Sequence, residues 1–334
     1  MSLKYSIFLP TGATTELAGI KDPVEAYETL TRVAQTADEL GYETLWLPDH
    51  FHTTPSSQAA VFESWTTAAA VARDTKRVRI GHLAAGNSYR NPALLAKMAS
   101  TLDVLSHGRY TLGIGAGWYE QEYRAYGYQY PEAPERLRQL GEAVQLILAM
   151  WKEEEATYAG RYYQVRGAIN QPKGVQQPHI PLLIAGDGEH VTLKLVARYA
   201  DACNVQGDVA TIERKFAVLK GHCETVGRDY QSIHRTAITL CLMAESDEQA
   251  RALIPQEALL GFPGDVLSYG LIGSPLTIRQ RLAAYEAAGV QELVIGFFDA
   301  PQLETIRRFA RAFIQEPMSE KEEDNRRKQH EKSH

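Results

Sequence analysis

His50 is the residue of this sequence whose type and position most clearly suggest chemistry. It comes directly after Asp49 and shortly after the apolar run Thr44–Leu47, which is typical of a buried β-strand. An imidazole titrates near neutral pH, so at the end of a strand it can relay a proton or donate a hydrogen bond to a developing oxyanion. A structural role, in which His50 hydrogen-bonds Asp49 or a neighbouring loop, is the alternative.

A glycine-rich stretch overlaps the end of a second apolar run, Tyr110–Ile114. Gly113, Gly115 and Gly117 stand at alternate positions, so one face of the strand end carries no side chains and a flat ring could approach the backbone there. The stretch is not a dinucleotide-binding fingerprint, because Trp118 stands where that motif requires a glycine. Gly115 and Gly117 are therefore candidate contacts for a planar ligand.

Gly186, Asp187, Gly188 and Glu189 follow the apolar run Leu182–Ala185 and precede a stretch of helical period. Two glycines before a helix create a nest of free backbone N–H groups that suits a phosphate. The acidic side chains can turn toward the helix amides as caps, which removes the conflict with an anion. We predict a phosphate site here; a capped turn without a ligand is the alternative.

A run of small residues follows the apolar run Val78–Gly81. Small residues at a strand end again permit close approach of a flat ring, and Asn87 adds a polar contact. Helix capping accounts for Asn91, which stands directly before Pro92, but it does not account for the small residues.

All of these stretches belong to one regular alternation of strands and helices. Eight such units predict a parallel sheet closed into a (β/α)₈ TIM barrel, in which the active site lies in the loops after the strands; an open doubly wound α/β sheet is the alternative. The predicted strands are Tyr5–Leu9, Thr44–Leu47, Val78–Gly81, Tyr110–Ile114, Leu182–Ala185, Ala200–Val205, Ala237–Met243 and Leu293–Gly296.

The alternation predicts a single domain over residues 1–316, with two departures. Residues 156–181 are aromatic and rich in Gln, Pro and Gly, which indicates an inserted hairpin and loop. Residues 255–273 predict a second excursion near the active-site end of the barrel. Residues 317–334 are almost wholly charged or polar, so we expect a disordered tail.

Composition excludes several classes of protein. The net charge of −6 offers no basic field for nucleic acid. The three cysteines are far apart without a C-x-x-C pair, and the histidines form no H-E-x-x-H motif, so we expect neither disulfides nor a metal site. No apolar run approaches the roughly 20 residues that span a bilayer, and the N-terminus lacks the features of a signal peptide. We therefore expect a soluble cytoplasmic protein.

Taken together and in order, the motifs resemble those of the luciferase-like monooxygenase superfamily, and most of all its coenzyme F420-dependent branch. The resemblance extends from Tyr5 to about Ile314. The matching segments are Leu45–Phe51, Tyr89–Asp103, Ser106–Tyr123, Pro181–Glu189, Ala197–Asn204, Gly273–Pro275 and Glu286–Leu293.

The resemblance implies a flavin or deazaflavin ring at the C-terminal end of the barrel, and the cofactor phosphate at Gly186–Glu189. It also implies a bulge with a non-proline cis peptide near His82-Leu83, and a homodimer. His50 inherits the place of a histidine that stands beside the reactive ring in F420-dependent dehydrogenases of this superfamily. On these grounds we predict that the cofactor contacts His82, Leu83, Asn87, Gly115, Gly117, Gly186, Asp187, Gly188 and Glu189.

One position departs from the family pattern. Sugar-phosphate dehydrogenases of this superfamily carry a glutamate directly after the glycines, where this chain has Trp118, with Glu120 and Glu122 displaced along the chain. The resemblance therefore leaves a second acid unassigned, and it does not predict a sugar phosphate as the substrate.

The predicted function is F420-dependent hydride transfer to or from a small organic substrate, with His50 as acid/base or electrophilic residue. F420 carries hydride and reacts poorly with oxygen, whereas reduced FMN can activate oxygen. The alternative is therefore an FMN-dependent monooxygenase that a partner reductase supplies with reduced flavin. A barrel that binds flavin without catalysis is a third hypothesis.

Overall fold

A computed structural model describes residues 3–254 and 262–315. In this part of the chain the strands are β1 (Lys4–Phe8), β2 (Thr44–Leu47), β3 (Arg79–His82), β4 (Ala85–Gly86), β5 (Tyr110–Gly115), β6 (Glu155–Ala159), β7 (Gln164–Ile169), β8 (Leu182–Ala185), β9 (Ala202–Val205), β10 (His234–Met243), β11 (Leu271–Gly273) and β12 (Glu292–Phe297). The helices are α1 (Pro23–Leu40), α2 (Ser64–Asp74), α3 (Pro92–Leu105), α4 (Glu120–Ala125), α5 (Ala133–Lys152), α6 (Thr192–Tyr199), α7 (Val209–Val226), α8 (Asp247–Leu253), α9 (Val266–Tyr269), α10 (Pro275–Ala287) and α11 (Glu304–Phe313).

Eight parallel strands close into a barrel. The order around it is β1, β2, β3, β5, β8, β9, β10 and β12, and β12 pairs with β1 through Glu292 and Lys4 to complete the circle. Successive helices pack around the outside. The predicted (β/α)₈ barrel is confirmed, and the eight predicted strands are the eight that form it. The C-terminal end of these strands is called the mouth below.

The bounds of two strands differ from the prediction by two or three residues, whereas those of β1, β3, β5 and β12 differ by a single residue at one or both ends. β10 begins at His234, three residues before the predicted start at Ala237, because its polar first residues pair with β9 and hide the strand in an apolarity pattern. β9 begins at Ala202 and not at Ala200, since the end of α6 and a turn precede it.

Both predicted departures from the alternation contain structure of their own. β6 and β7 form an antiparallel hairpin, which confirms the inserted hairpin. Of the predicted excursion at 255–273, residues 255–261 lie outside the described residues. The remainder contains α9 and β11, and β11 pairs with the C-terminal part of β10 at the mouth. The predicted tail, residues 317–334, also lies outside the described residues.

Trp46 of β2 fills the centre of the barrel. It forms an inner apolar cluster with Leu83, Leu183, Ala202 and Val294. A Cβ atom at position 81 would lie 2.4 Å from the indole ring, so β3 carries a glycine opposite Trp46. The indole therefore occupies the space that a larger residue at position 81 would need.

Glu292 holds Trp46 from the N-terminal end of the barrel. Its buried carboxylate accepts hydrogen bonds from Trp46 Nε1 at 2.8 Å and Ser6 Oγ at 2.6 Å, and it lies 2.8 Å from His234 Nε2. Burial alone would raise the pKa of Glu292, but the hydrogen bonds and the proximity of His234 outweigh burial and hold this pKa below its ordinary value. The carboxylate is thus ionised at neutral pH, and Trp46 of the inner cluster donates a hydrogen bond to a buried charged group.

Removal of this carboxylate should destabilise the barrel. We expect Glu292→Ala to lower the free energy of unfolding by about 2–4 kcal/mol, because two buried donors lose their acceptor. Glu43→Ala is the control, since Glu43 forms a surface ion pair with Lys4 near the same end of the barrel. Such pairs contribute at most about 1 kcal/mol. Urea unfolding at pH 7 measures both, and equal losses would contradict the assignment.

The stability difference between wild type and Glu292→Ala should also depend on pH. Because folding lowers the pKa of Glu292, its contribution is complete above the unfolded pKa of about 4.3 and is lost as the pH falls through the lower folded value. The stability difference between wild type and Glu292→Ala should therefore shrink below about pH 4.

Candidate active site

The floor of the mouth is built from small and apolar residues of three adjacent strands. Leu83 follows β3, Gly115 ends β5 and Ala185 ends β8. A Cβ atom at Gly115 would lie 3.6 Å from the Cβ of Ala84 and 3.7 Å from the carbonyl oxygen of Ala185, which are ordinary contacts. The missing side chain at Gly115 thus keeps the floor open, whereas the Cβ that Gly113 lacks would lie 1.8 Å from the carbonyl oxygen of His82.

The chain after β3 has the expected irregular geometry. A non-proline cis peptide joins Leu83 to Ala84, one residue beyond the predicted position at His82-Leu83. The strand direction then resumes as β4, which pairs with the end of β5. Leu83 itself belongs to the inner cluster at the floor.

His50 stands at the end of β2 and is held by a glutamate from α4. Its Nδ1 lies 3.0 Å from Oε2 of Glu122, and the His50 side chain is 17% exposed whereas the Glu122 side chain is fully buried. Glu122 Oε1 accepts hydrogen bonds from the backbone N–H groups of Phe51 at 2.7 Å and His52 at 3.2 Å. Tyr89 donates its hydroxyl to Oε2 at 2.5 Å.

The charge state of this cluster follows from its donors. Burial would raise the pKa of Glu122, but the hydrogen bond and charge of His50, with the Tyr89 and Phe51 bonds, hold it below its ordinary value. Burial together with Glu122 raises the pKa of Tyr89 far above its ordinary value, so this phenol stays protonated and donates. An ionised carboxylate at Nδ1 places the imidazole proton on that nitrogen. Nε2 has no hydrogen-bond partner within residues 3–254 and 262–315 and can exchange a proton with a ligand.

Asp49 does not bind His50. Its buried carboxylate accepts two hydrogen bonds from Arg90, at 2.6 and 3.1 Å, and one from the backbone N–H of Gly86 at 3.0 Å. Arg90 also reaches Glu63 at the start of α2 at 2.8 Å. Asp49 thus joins the loops after β2 and β3, and the suggested Asp49–His50 hydrogen bond is wrong.

The His82 side chain lies outside the mouth, which corrects the prediction that it contacts the cofactor. The ring is fully buried, stacks on Trp65 of α2 at 4.1 Å, and places Nδ1 2.7 Å from the hydroxyl of Tyr110. Successive residues of a strand face opposite sides, so Gly81 faces the interior and His82 faces the helices. Burial lowers the pKa of His82 to about 3, which keeps the ring neutral.

Gly117 and Asn87 each lie against a tyrosine of the chain and do not present an open surface at the mouth. A Cβ atom at Gly117, where φ is +80°, would lie 1.8 Å from the hydroxyl of Tyr123. The missing side chain at this position therefore makes room for a phenol, which revises the prediction of a cofactor contact. Asn87 is buried and donates from Nδ2 to the hydroxyl of Tyr163 in the hairpin at 3.2 Å.

The turn at Gly186–Glu189 has free amides, but its acidic side chains do not cap α6. Asp187 pairs with Lys215 and Glu189 with Arg214, both on α7. The predicted caps are therefore wrong, because α6 has no side-chain cap and both carboxylates pair with cations of α7. The backbone N–H groups of Asp187, Gly188 and Glu189 have no acceptor in the described part of the chain. Free amides beside two cations fit an anionic group.

Sequence reasoning did not identify Glu122 as the partner of His50. The two residues are 72 positions apart and meet only because the loops after β2 and β5 converge above the floor. Among the described residues, no group of three or more His, Cys, Asp or Glu side chains is arranged to hold a metal ion. No helix in this part of the chain is both long and apolar enough to cross a membrane.

Comparison with known proteins identifies the family. The model of the luciferase-like monooxygenase family matches residues 3–269. The chain belongs to this family. An F420-dependent glucose-6-phosphate dehydrogenase from Kineococcus radiotolerans is 34% identical over 216 residues, which cover 62% of this chain and 61% of that protein. An FMNH(2)-dependent dimethylsulfone monooxygenase from Pseudomonas putida is 26% identical over 249 residues, covering 62% of this chain and 66% of that protein.

The fold of the luciferase-like monooxygenase family recurs among solved structures. An F420-dependent secondary alcohol dehydrogenase in complex with an F420–acetone adduct superposes with a TM-score of 0.74 at 20% identity, covering 89% of this chain and 94% of the other. The chain matches less than two thirds of the length of the two curated enzymes named above. The chain is an oxidoreductase of this family, and the relatives named above use F420 or FMN.

The two glycines at the end of β5 should respond differently to a methyl group. Gly117→Ala should lose at least about 2 kcal/mol of stability, because alanine is strained at positive φ and its Cβ would overlap Tyr123. Gly115→Ala should fold normally and weaken F420 or FMN binding severalfold, since the methyl group enters the floor. Urea unfolding and cofactor titration separate the two effects. Equal stability of both variants would remove the structural role given to Gly117.

Proposed function

We propose that this chain is a coenzyme F420-dependent oxidoreductase that transfers a hydride between the deazaflavin and a small organic substrate. The observation that carries the proposal is the contact of His50 Nδ1 with the buried carboxylate of Glu122. This contact fixes the imidazole at the mouth and leaves Nε2 for the substrate. His50 is the proposed catalytic residue, and Glu122 is its positioning residue.

The proton chemistry follows from the tautomer. When an alcohol is oxidised, its carbon loses a hydride and its oxygen loses a proton. A neutral His50 that carries its own proton on Nδ1 accepts the proton of the alcohol at Nε2. In the reverse direction the imidazolium donates the proton to the carbonyl oxygen. The ionised Glu122 stabilises the imidazolium in both directions. F420, when bound, supplies the hydride acceptor or donor.

The residues of the mouth fit such a cofactor. Leu83, Gly115 and Ala185 leave a low floor against which a planar ring can lie. The free amides of Asp187, Gly188 and Glu189 would receive the cofactor phosphate. Lys215 and Arg214 stand beside them and can turn from their carboxylates to the anion.

F420 is the preferred cofactor because the relatives that use it are the more similar. The F420-dependent glucose-6-phosphate dehydrogenases reach 34% identity, against 26% for the FMNH(2)-dependent monooxygenase. That monooxygenase aligns over the longer stretch, 249 residues, and this favours the second candidate function, an FMN-dependent monooxygenase that receives reduced flavin from a reductase. The floor and the phosphate turn suit either cofactor.

Cofactor titration should distinguish the two candidates. We expect tighter binding of F420 than of FMN, and we expect Asp187→Asn to tighten binding severalfold because it removes a negative charge beside the phosphate and releases Lys215. Glu43→Gln changes the net charge equally at the opposite end of the barrel and should leave the affinity unchanged. Preferential FMN binding, with oxygen-dependent turnover of reduced FMN, would replace the first proposal with the second.

Substitution of His50 tests the catalytic assignment. His50→Ala should lower turnover by roughly 10²–10⁴, the usual size of a general acid/base effect. Cofactor affinity should change by less than about tenfold, because one neutral hydrogen bond contributes about 1 kcal/mol. His52→Ala is the matched control, since that ring contacts the backbone carbonyl of Thr53 and not Glu122. A loss of stability and cofactor affinity at an unchanged rate per bound cofactor would make His50 structural.

A further inference from the structure

An exposed aromatic surface stands beside His50. Trp118 is 64% exposed, and its ring lies 5.9 Å from the His50 ring in an edge-to-face arrangement. Tyr119 lies 5.2 Å from Trp118 and 6.1 Å from His50. We call Trp118 and Tyr119 the aromatic wall. An indole left this open to water next to a candidate catalytic imidazole marks a surface that gains from contact with a ligand.

The backbone that carries the wall is fixed. Tyr130 donates its hydroxyl to the carbonyl oxygen of Trp118 at 2.8 Å, and the backbone N–H of Glu120 approaches the same oxygen at 3.1 Å. The backbone of Trp118 is thus held in place while the face of its ring stays open. A rigid aromatic ring costs little conformational entropy when a ligand binds to it.

The polar atom of Tyr119 is already used. Its hydroxyl accepts a hydrogen bond from the backbone N–H of Ser56 at 3.0 Å and donates to Gln121 Oε1 at 3.1 Å. Tyr119 therefore offers a ligand its ring and not its hydroxyl. Both members of the wall present apolar, planar surface.

The charge of this side of the mouth disfavours anionic substrates. Within residues 118–126 the single cationic side chain is Arg124, which pairs with Glu120 at 2.5 Å and is 70% exposed. The ionised Glu122 adjoins the wall, because its backbone N–H donates to the carbonyl oxygen of Tyr119 at 3.1 Å. The paired cations Arg214 and Lys215 lie near Gly186–Glu189, the turn already assigned to the cofactor phosphate. Residues 118–126 therefore offer no unpaired cation to a substrate phosphate.

We infer that the substrates are uncharged alcohols or carbonyl compounds that carry an aromatic ring close to the reacting oxygen, with the ring against Trp118 and the oxygen at His50 Nε2. The two protein rings are in edge-to-face contact, with centroids 5.9 Å apart, so a substrate that lies across both needs only one carbon between its aromatic ring and its oxygen. This inference rests on the proposed function for the chemistry at the oxygen. It adds the substrate class and names Trp118 as the residue that selects it.

Paired substrates test the selection. With the full-length chain and F420, 1-phenylethanol should have a KM at least about tenfold below that of 2-propanol, which lacks a ring, and glucose 6-phosphate should not be oxidised. Trp118→Ala should raise the KM for 1-phenylethanol about tenfold or more and leave that for 2-propanol within about twofold; Trp118→Phe should retain most of the preference. Ile169→Ala is the control, because Ile169 is 65% exposed on the hairpin, away from the mouth.

A binding measurement separates this inference from the proposed function. Equilibrium dialysis of acetophenone against the chain loaded with F420 or FMN requires no turnover, and Trp118→Ala should weaken binding about tenfold while Ile169→Ala leaves it unchanged. Retained Trp118-dependent binding without hydride transfer would overturn the proposed function alone. Failure of acetophenone to bind, equal effects of Trp118→Ala on both alcohols, or turnover of the phosphorylated sugar would overturn the inference about the wall.

Discussion

The burial of one carboxylate sets the geometry of the mouth. Removal of the ionised Glu122 from water is costly, and the chain offsets the cost with four donors taken from the loop after β2 and from Tyr89. None of these groups can move far without leaving the charge unsatisfied. The position of His50, the course of Phe51 and His52, and the docking of α4 are therefore parts of one arrangement.

Asp49, the neighbour of His50, secures the other side of the same loop. It binds Arg90 and the amide of Gly86, and Arg90 continues to Glu63. Adjacent residues thus connect the end of β2 to two different neighbours, Asp49 to the chain after β3 and His50 to α4. A short loop held at both of these points can keep an imidazole in place without a ligand present.

The sequence predicts the barrel well because alternation and helix ends are local signals. Trp46 and Leu183 belong to strands whose predicted bounds agree with the structure. The contacts of the site are non-local, and there the prediction is less complete. For His82 the predicted position at the end of a strand is right, but the predicted direction of its side chain is wrong. That direction follows from Gly81, which faces Trp46 in the barrel interior. The Glu122–His50 contact joins residues 72 apart and leaves no periodic trace.

The pairing of Asp187 with Lys215 shows the same limit. The local sequence predicts that Asp187 caps the following helix, whereas its partner is Lys215 of the next helix. This partner is equally compatible with a site for an anion. Charge partners across neighbouring β/α units are not encoded in either unit alone. The glycines predict a turn with free amides, which the structure has, but they do not predict the partners of its acidic side chains.

The segment from Trp118 to Tyr126 combines two properties that are often carried by separate parts of an enzyme. It contains the exposed indole beside His50, and four residues later the carboxylate that orients His50. Exchange of this segment between related barrels, by recombination or by loop grafting, would transfer both at once. A substitution on the exposed face of Trp118 leaves the contact of Glu122 with His50 intact, whereas any substitution of Glu122 also releases His50.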